Sequence, residues 1–147
     1  MMITIREFKY LDADTLYSIM QLRMEVFYLE QRIMEQDFDD IDRKSKQIYI
    51  EGKGKKVDGC CRLFADPEIP GRMVIGRLAV KKSLRRKSRG SFLLKSAVSQ
   101  AQRDGAKEVM LHAQIQTVDF YRRRGFEPIG EPYEEAGILH VMMIHKF

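Results

Sequence analysis

Cysteine and proline are scarce in this chain, and tryptophan is missing. Among the 147 residues there are two cysteines and four prolines. Cys60 and Cys61 are adjacent, so on a strand they point to opposite faces, and a disulfide between them would be strained. Because the two have no metal-ligand spacing either, they predict reduced thiols in a cytoplasmic protein, without a zinc site or a disulfide framework.

Long hydrophobic runs are also missing. No apolar stretch approaches the roughly 20 residues that a membrane-spanning helix needs. The first eight residues alternate like a short strand and do not resemble a signal peptide. We therefore expect no membrane partner.

Charge is abundant, and it is unevenly distributed. Charged residues make up 32% of the chain, hydrophobic residues 44%, and the formal net charge is +5. Six cations lie between residues 81 and 89, and six carboxylates crowd another segment, namely Glu30, Glu35, Asp37, Asp39, Asp40 and Asp42. A nucleic-acid-binding protein more often shows one broad basic face. The sequence therefore predicts a bipolar globular protein, one domain over residues 1–147, with no nucleic-acid partner.

Hydrophobic periodicity changes between strand and helix along the chain. Asp12 is predicted to cap a first helix whose methionines, including Met20 and Met24, fill the core. Thr117 is predicted to cap a short helix over 118–124. Strands are predicted at 3–8, 47–51, 57–65, 72–80, 108–113, 126–133 and 138–146. The predicted fold class is α/β, a mixed central sheet of six to seven strands with about four helices on both faces, in which strands 72–80 and 108–113 are parallel.

The basic segment joins a predicted strand to a predicted helix. Leu84–Gly90 follows the strand 72–80 and precedes apolar residues at helical spacing. The first N–H groups of a helix lack intrahelical partners, and its dipole favours an anion there. The segment therefore predicts a phosphate-binding loop, although neither the Walker pattern nor G-x-G-x-x-G is present.

This loop resembles the R-x-x-G-x-G/A pyrophosphate loop of the GNAT superfamily of acyl-CoA-dependent N-acetyltransferases. Arg85 takes its first position and Gly90 its last, while Ser88 stands where the family usually has its first glycine. The segment 119–126 is similar to the family's F-Y-x-x-x-G-F. The segments 26–31 with 36–37, and 133–140, resemble the ElaA-like branch. The resemblance covers almost the whole chain and implies the GNAT fold.

The resemblance also implies which residues hold acetyl-CoA as co-substrate. The backbone of residues 78–80 would pair with pantetheine as a strand would, and amides of residues 85–91 would bind the pyrophosphate. One cation of 122–124 would reach the CoA 3′-phosphate. The full cofactor-binding set is Leu78, Ala79, Val80, Arg85, Arg86, Lys87, Ser88, Arg89, Gly90, Ser91, Gln114, Phe120 and Tyr121.

The same context assigns candidate catalytic residues. Tyr121 would be the general acid that protonates the leaving thiolate. An alkylammonium, with a pKa of about 10.4, must lose a proton before it attacks. The candidate bases are Glu30, His112, His140 and Asp37. Glu30 and Asp37 would also bind the acceptor if the acidic segment forms a mouth for a cationic amine, the alternative being a solvated loop.

We therefore predict an N-acetyltransferase that transfers acetyl from acetyl-CoA to a primary amine by direct attack in a ternary complex. No residue is an obvious covalent acyl carrier, and no metal is expected. Two alternatives stay open, a non-catalytic acyl-CoA sensor and an acyltransferase that uses another acyl donor. The expected partners are a small-molecule or peptide amine and, since relatives often dimerise, a second copy of the chain.

Overall fold

One seven-stranded mixed sheet runs through the protein, and the computed structural model describes every residue from Met1 to Phe147. Its strands are β1 (Met2–Glu7), β2 (Lys46–Glu51), β3 (Val57–Ala65), β4 (Arg72–Val80), β5 (Glu108–Gln114), β6 (Glu127–Glu135) and β7 (Ile138–Lys146). They are ordered β1-β2-β3-β4-β5-β7-β6. Only β4 and β5 pair in parallel. The predicted mixed sheet and its parallel pair are confirmed.

Three α-helices accompany the sheet, α1 (Ala13–Arg23), α2 (Arg89–Arg103) and α3 (Val118–Arg122), where about four were predicted. The additional predicted helix is a π-helical continuation of α1, Met24–Glu30. It ends at Glu30, shortly before Arg32, whose positive φ of 60° is incompatible with a continuing helix. None of these helices combines the length with the apolar character that a membrane crossing demands.

Two predicted helix caps have different outcomes. Asp12 caps α1, since its Oδ1 accepts a hydrogen bond from the Thr15 amide at 2.7 Å, as predicted. Thr117 precedes α3 but makes no capping bond. Its hydroxyl donates instead to the carbonyl of Gln114 at 2.6 Å. The prediction for Thr117 is wrong because its side chain stabilises the preceding turn.

Helices cover both faces of the sheet, but not equally. Together, α2 and α3 cover one face along most of its width, over a core that includes Leu93, Phe126 and Met143. On the other face α1 packs mainly on β3 and β4, over a smaller core that also includes Tyr49 of β2. The half of that face formed by β5 and β7 carries no helix, so a cleft opens beside α1.

The methionines of the first helix border this cleft. Met20 is 45% exposed and Met24 is 55% exposed, and both line the opening. The prediction that they fill the core is wrong. Their hydrophobic periodicity matches a buried helix face, but the sheet does not extend beneath that part of the helix.

Candidate active site

Strands β4 and β5 separate halfway along their length. They pair only at Arg72–Glu108, Met73–Val109 and Val74–Met110. Beyond these pairs β4 contains a bulge at which Arg77 has a positive φ of 55°, and bulges bend a strand away from its neighbour. Residues 75–80 therefore have no partner in β5. The resulting gap lies beside Leu78, Ala79 and Val80, whose backbone is predicted to pair with pantetheine.

The loop between β4 and α2 presents six consecutive backbone amides, those of residues 86–91, without a hydrogen-bond acceptor in the protein. The first intrahelical bond of α2 runs from the Phe92 amide to the Ser88 carbonyl at 3.0 Å. Arg86 and Ser88 have positive φ angles of 62° and 67°. Alternation of this kind turns successive N–H groups toward one side, where they can bind an anion.

Positive charge surrounds these amides. Arg86 and Lys87 are exposed, and no carboxylate pairs with either. The Nε atom of Arg89 is buried and has no partner, and a buried donor of this kind requires an acceptor. The free amides and the unpartnered Nε therefore fit the pyrophosphate of a CoA substrate.

Arg85 behaves differently from the other loop cations. Its Nε donates to the Val80 carbonyl at 3.0 Å, and its two Nη atoms donate to the Glu30 carboxylate at 2.7 Å each. The hydrogen bonds from Arg85 lower the pKa of Glu30 below its ordinary value. Arg85 therefore holds the start of the loop in place, and the prediction that it offers a free charge to the phosphates needs correction.

One of the three arginines at the end of α3, residues 122–124, reaches the start of α2. The guanidinium of Arg124 donates to the Ser91 hydroxyl at 2.9 Å and to the Phe120 carbonyl at 2.7 Å, and it stacks over the Phe120 ring at 3.9 Å. A Cβ atom on Gly90 would lie 3.6 Å from the same ring. Among the three arginines, Arg124 is thus distinguished by its contact with Ser91 of α2.

Tyr121 lines the cleft at the gap between β4 and β5. Its ring is held edge-on by Phe120 and Phe126, with centroids 5.1 and 6.1 Å away. Burial raises the pKa of Tyr121, so its hydroxyl stays protonated at neutral pH. A protonated hydroxyl in the lining of the cleft is compatible with the general acid predicted from the sequence, which stays a prediction.

Both polar atoms of the Gln114 side chain have a partner within the protein. It donates to Gln31 at 3.0 Å and accepts from Gln116 at 2.6 Å. The Gln31 bond connects the end of β5 to the end of the π-helical segment. Gln114 therefore connects two walls of the cleft. Its predicted contact with CoA stays a prediction.

His140 lies on β7 directly opposite Gln114. It is 8% exposed, and its Nδ1 lies 2.7 Å from the Ile138 carbonyl oxygen. Because a carbonyl can only accept, Nδ1 carries the hydrogen, and the neutral ring keeps a lone pair on Nε2. His140 also lines the cleft, so this nitrogen is suited to take up a proton.

His112 lies on β5, two residues before Gln114 and opposite Met142. It is exposed, and its Nδ1 is hydrogen-bonded to the Tyr133 hydroxyl. Burial raises the pKa of Tyr133 to about 12, so this hydroxyl is protonated.

Three aspartates of the acidic segment, Asp37, Asp39 and Asp42, are neither solvated nor free to bind an acceptor. Arg23, which is 1% exposed, pairs with Asp42 at 2.8 Å and with Asp37 at 2.9 Å. Arg62 pairs with Asp39 at 2.7 Å, and Arg77 with Asp37 at 3.0 Å. Both predictions for this segment are therefore corrected, because arginines distant in sequence neutralise its aspartates. Glu30 and Asp37 already have partners in the protein.

Behind the gap, the cleft has a volume of about 1240 Å³. The end of α1 and the acidic segment form one wall, and the uncovered half of the sheet forms the floor. Tyr121 and His140 both line the cleft. Strand β4 connects the parts of the site, because residues 75–78 line the cleft, residues 75–80 border the gap, and the loop with the free amides follows the end of the strand.

Comparisons with known proteins agree with this geometry. The family model described as "Acetyltransferase (GNAT) domain" matches residues 13–147. Protein ElaA of Escherichia coli is 33% identical over 138 residues, covering 92% of this chain and 90% of ElaA. The crystal structure of ElaA superposes with a TM-score of 0.90 at 29% identity, covering 99% of both chains. An acyl-CoA N-acyltransferase from Pseudomonas aeruginosa superposes with a TM-score of 0.89 at 28% identity over 99% of both chains.

The chain belongs to the GNAT acetyltransferase family. Its similarity to ElaA in sequence and in structure places it in the ElaA-like branch, as the sequence motifs indicated. Membership supports N-acyltransferase activity with an acyl-CoA co-substrate.

Sequence reasoning missed two features of the site. The first is the set of arginine partners of the acidic segment, among which Arg77 lies at the bulge. The second is the Gln31–Gln114 bond. Neither has a local sequence signal, because the partners lie 40 and 83 residues apart.

Proposed function

We propose that this protein is an N-acetyltransferase that transfers the acetyl group of acetyl-CoA to a primary amine in a ternary complex. The observation that carries the proposal is the continuity of the site. Strand β4 connects the free amides of the loop that follows it, the gap beside β5, and the cleft that Tyr121 and His140 line.

The loop and the gap would bind acetyl-CoA. Amides 86–91 and the cations Arg86, Lys87 and Arg89 would hold the pyrophosphate, assisted by Arg124 beside the first turn of α2. The unpaired backbone of residues 78–80 would pair with the pantetheine amides. Acetyl-CoA supplies the acetyl group as a thioester, whose carbonyl an unprotonated amine can attack.

His140 and Tyr121 would handle the protons. His140 Nε2 would accept the first proton from the ammonium group of the acceptor, and Tyr121 would donate its hydroxyl proton to the thiolate. The second nitrogen proton, lost as the amide forms, would restore the Tyr121 hydroxyl. Glu30 and Asp37 are less suited as bases because arginines already bind their oxygens. His112 is less suited because it is exposed and its Nδ1 is already hydrogen-bonded to the Tyr133 hydroxyl.

Direct transfer is supported by the state of the cysteines. Both are buried and free. Burial raises the pKa of Cys60 to about 12, and it raises the pKa of Cys61 further. Since the thiolate is the nucleophilic form, neither cysteine is suited to carry the acetyl group.

Two measurements test the proposal together. CoA should raise the melting temperature, because a ligand that binds only the folded state stabilises it. Incubation with acetyl-CoA and a mixed amine library should release free thiol. Each product should be about 42 Da heavier than its amine, because an acetyl group replaces a hydrogen. Parallel reactions with longer acyl-CoA donors measure which acyl chain is transferred fastest.

Each outcome has a distinct meaning. Stabilisation by CoA without transfer to any amine would contradict the enzyme and favour an acyl-CoA sensor. Absence of stabilisation would contradict the phosphate-binding loop itself. Dephospho-CoA is the matched control for the 3′-phosphate, because it retains the pyrophosphate.

A further inference from the structure

The walls of the cleft are mainly apolar. Met20, Met24 and Met34 border it on the α1 side and are 45%, 55% and 79% exposed. Phe64 and Met110 contribute to the floor. Exposed methionines around a concave surface adapt to ligands of different shape, so this surface is suited to an apolar chain.

The positively charged side chains of the cleft are few, and they are bonded to carboxylates. Only three side chains with a permanent positive charge line it, Arg23, Arg62 and Arg77. Arg23 and Arg62 are 1% and 4% exposed, and both are bonded to aspartates. Neither is available to a ligand.

Arg77 is the most accessible of these cations, and it is bonded on two sides. Its Nε lies 3.0 Å from an Asp37 oxygen, and its Nη2 lies 3.6 Å from an Asp39 oxygen. A carboxylate that approached Arg77 would therefore also meet two aspartates, whose repulsion would offset the attraction.

Three carboxylates of the cleft have no cationic partner. Glu25, Glu35 and Glu135 line it, all three are exposed, and none forms an ion pair within the chain. They come from the π-helical segment, the acidic segment and the end of β6. The cleft therefore offers carboxylates but no free cation.

We infer that the acceptor is an apolar alkyl- or arylalkylamine without a carboxylate, and that a second cationic group at its far end improves binding. This inference rests on the proposed function, because it assigns the cleft to the acceptor. A carboxylate at the far end of the acceptor finds no free cation, whereas an ammonium there finds glutamates.

Three acceptors of equal chain length test the inference. Octylamine, 1,8-diaminooctane and 8-aminooctanoate differ only in the charge at the far end. Exposed ion pairs contribute about 0.2–1 kcal/mol each, so kcat/KM should be about threefold higher for the diamine than for octylamine at low salt. It should be at least about tenfold lower for 8-aminooctanoate. Equal or better use of 8-aminooctanoate would overturn the inference.

A binding measurement separates the inference from the proposed function. By calorimetry, octyltrimethylammonium should bind in the presence of CoA, and octanoate should bind at least about tenfold more weakly. This comparison needs no turnover. Failure of acetyl transfer with charge-selective binding retained would contradict only the proposed function, and equal binding of octanoate would overturn the inference.

A matched pair of variants assigns the selectivity to the cleft. Glu35→Gln should reduce the advantage of the diamine over octylamine, because it removes one unpaired carboxylate. Glu127→Gln removes an exposed carboxylate of β6 that does not line the cleft, so the ratio should stay as in the parent protein. An unchanged ratio in Glu35→Gln together with Glu25→Gln and Glu135→Gln would contradict the role of these carboxylates.

Discussion

Arg85 and Glu30 form a bidentate ion pair in which both Nη atoms lie 2.7 Å from the carboxylate oxygens. Arg85 also donates to the Val80 carbonyl at 3.0 Å. One side chain thus joins the π-helical segment, the end of β4 and the phosphate loop. The side chains of the pair are 34% and 35% exposed, so it contributes less than about 1 kcal/mol to stability. Its main effect is to fix the start of the loop.

The first prediction follows from this pairing. Arg86→Gln should weaken CoA binding by about two- to fivefold, because an unpaired exposed cation beside a phosphate contributes about 0.5–1 kcal/mol. The double variant Glu30→Gln and Arg85→Gln removes both charges together and should bind CoA within about twofold of the parent protein. Calorimetry compares the two. A larger loss in the double variant would show that Arg85 contributes to CoA binding, either by contacting the phosphates or by holding the loop.

Ser88 provides the second prediction. It holds a positive φ of 67°, which a residue with a Cβ atom adopts at a cost of about 1 kcal/mol. Ser88→Gly should therefore raise the urea midpoint with an unchanged slope. Ser99→Gly, in the interior of α2, should lower it by about 0.5–1 kcal/mol of unfolding free energy. A destabilised Ser88→Gly protein would contradict the strain at this position.

Tyr121 provides the third. Tyr121→Phe should lower kcat by about 100-fold or more, because general acid catalysis contributes about 10²–10⁴-fold. The Kd for CoA should stay within about twofold, since the ring and its packing remain. Tyr10→Phe, at an exposed tyrosine outside the cleft, is the control. Unchanged turnover in steady-state assays would remove Tyr121 from the mechanism.

His140 provides the fourth. His140→Gln should lower kcat/KM by about 100-fold at neutral pH, and the loss should shrink as pH rises because the amine then deprotonates in solution. His145 is a close match, since its Nδ1 also lies near a carbonyl, that of Gly125 at 2.9 Å. His145 does not line the cleft, so His145→Gln should retain activity. Equal losses in both variants would indicate a structural effect.

The buried ion pairs provide the fifth. Asp42→Asn should lower the free energy of unfolding by about 3–5 kcal/mol, because it leaves Arg23 and Arg62 buried with fewer partners. The Asp40 side chain is 99% exposed, so Asp40→Asn should change stability by less than about 0.5 kcal/mol. Urea denaturation of both variants makes the comparison.

The same carboxylate makes stability depend on pH. Burial alone would raise the pKa of Asp42, but Arg23 and Arg62 hold it below the ordinary value of 3.8. A depressed pKa stabilises the folded state above the ordinary value, and the effect is lost as pH falls through the folded-state value. The parent protein should therefore lose stability below about pH 4. Asp42→Asn should show a smaller loss over that range, and an equal loss would contradict this account.

Much of the fold could be predicted from the sequence because its signals are local. The strands 57–65, 72–80 and 138–146 have the predicted limits, since alternation and flanking turn residues mark them within a few positions. The order of strand, loop, helix and strand fixed the parallel pair through the handedness of the crossover. The phosphate loop was recognisable because its cations and amides are consecutive.

Except for the Thr117 cap, whose hydroxyl bonds to Gln114 three residues earlier, the errors concern partners that are distant in sequence. Met20 and Met24 repeat at core spacing, but burial depends on whether sheet lies beneath them. Glu30 looks like an available carboxylate until the fold brings Arg85 beside it. Neither hydrophobic periodicity nor motif spacing predicts contacts between residues that are distant in sequence.

Local chemistry in the sequence thus determined the strands, the main helices, the anion-binding loop and the family motifs. The tertiary structure alone decided which charges are neutralised, which of three arginines reaches the start of α2, and how far β4 and β5 separate. The physical reason is that hydrogen bonding and periodicity act between near neighbours along the chain. Burial and ion pairing depend on contacts that exist only after the whole sheet has formed.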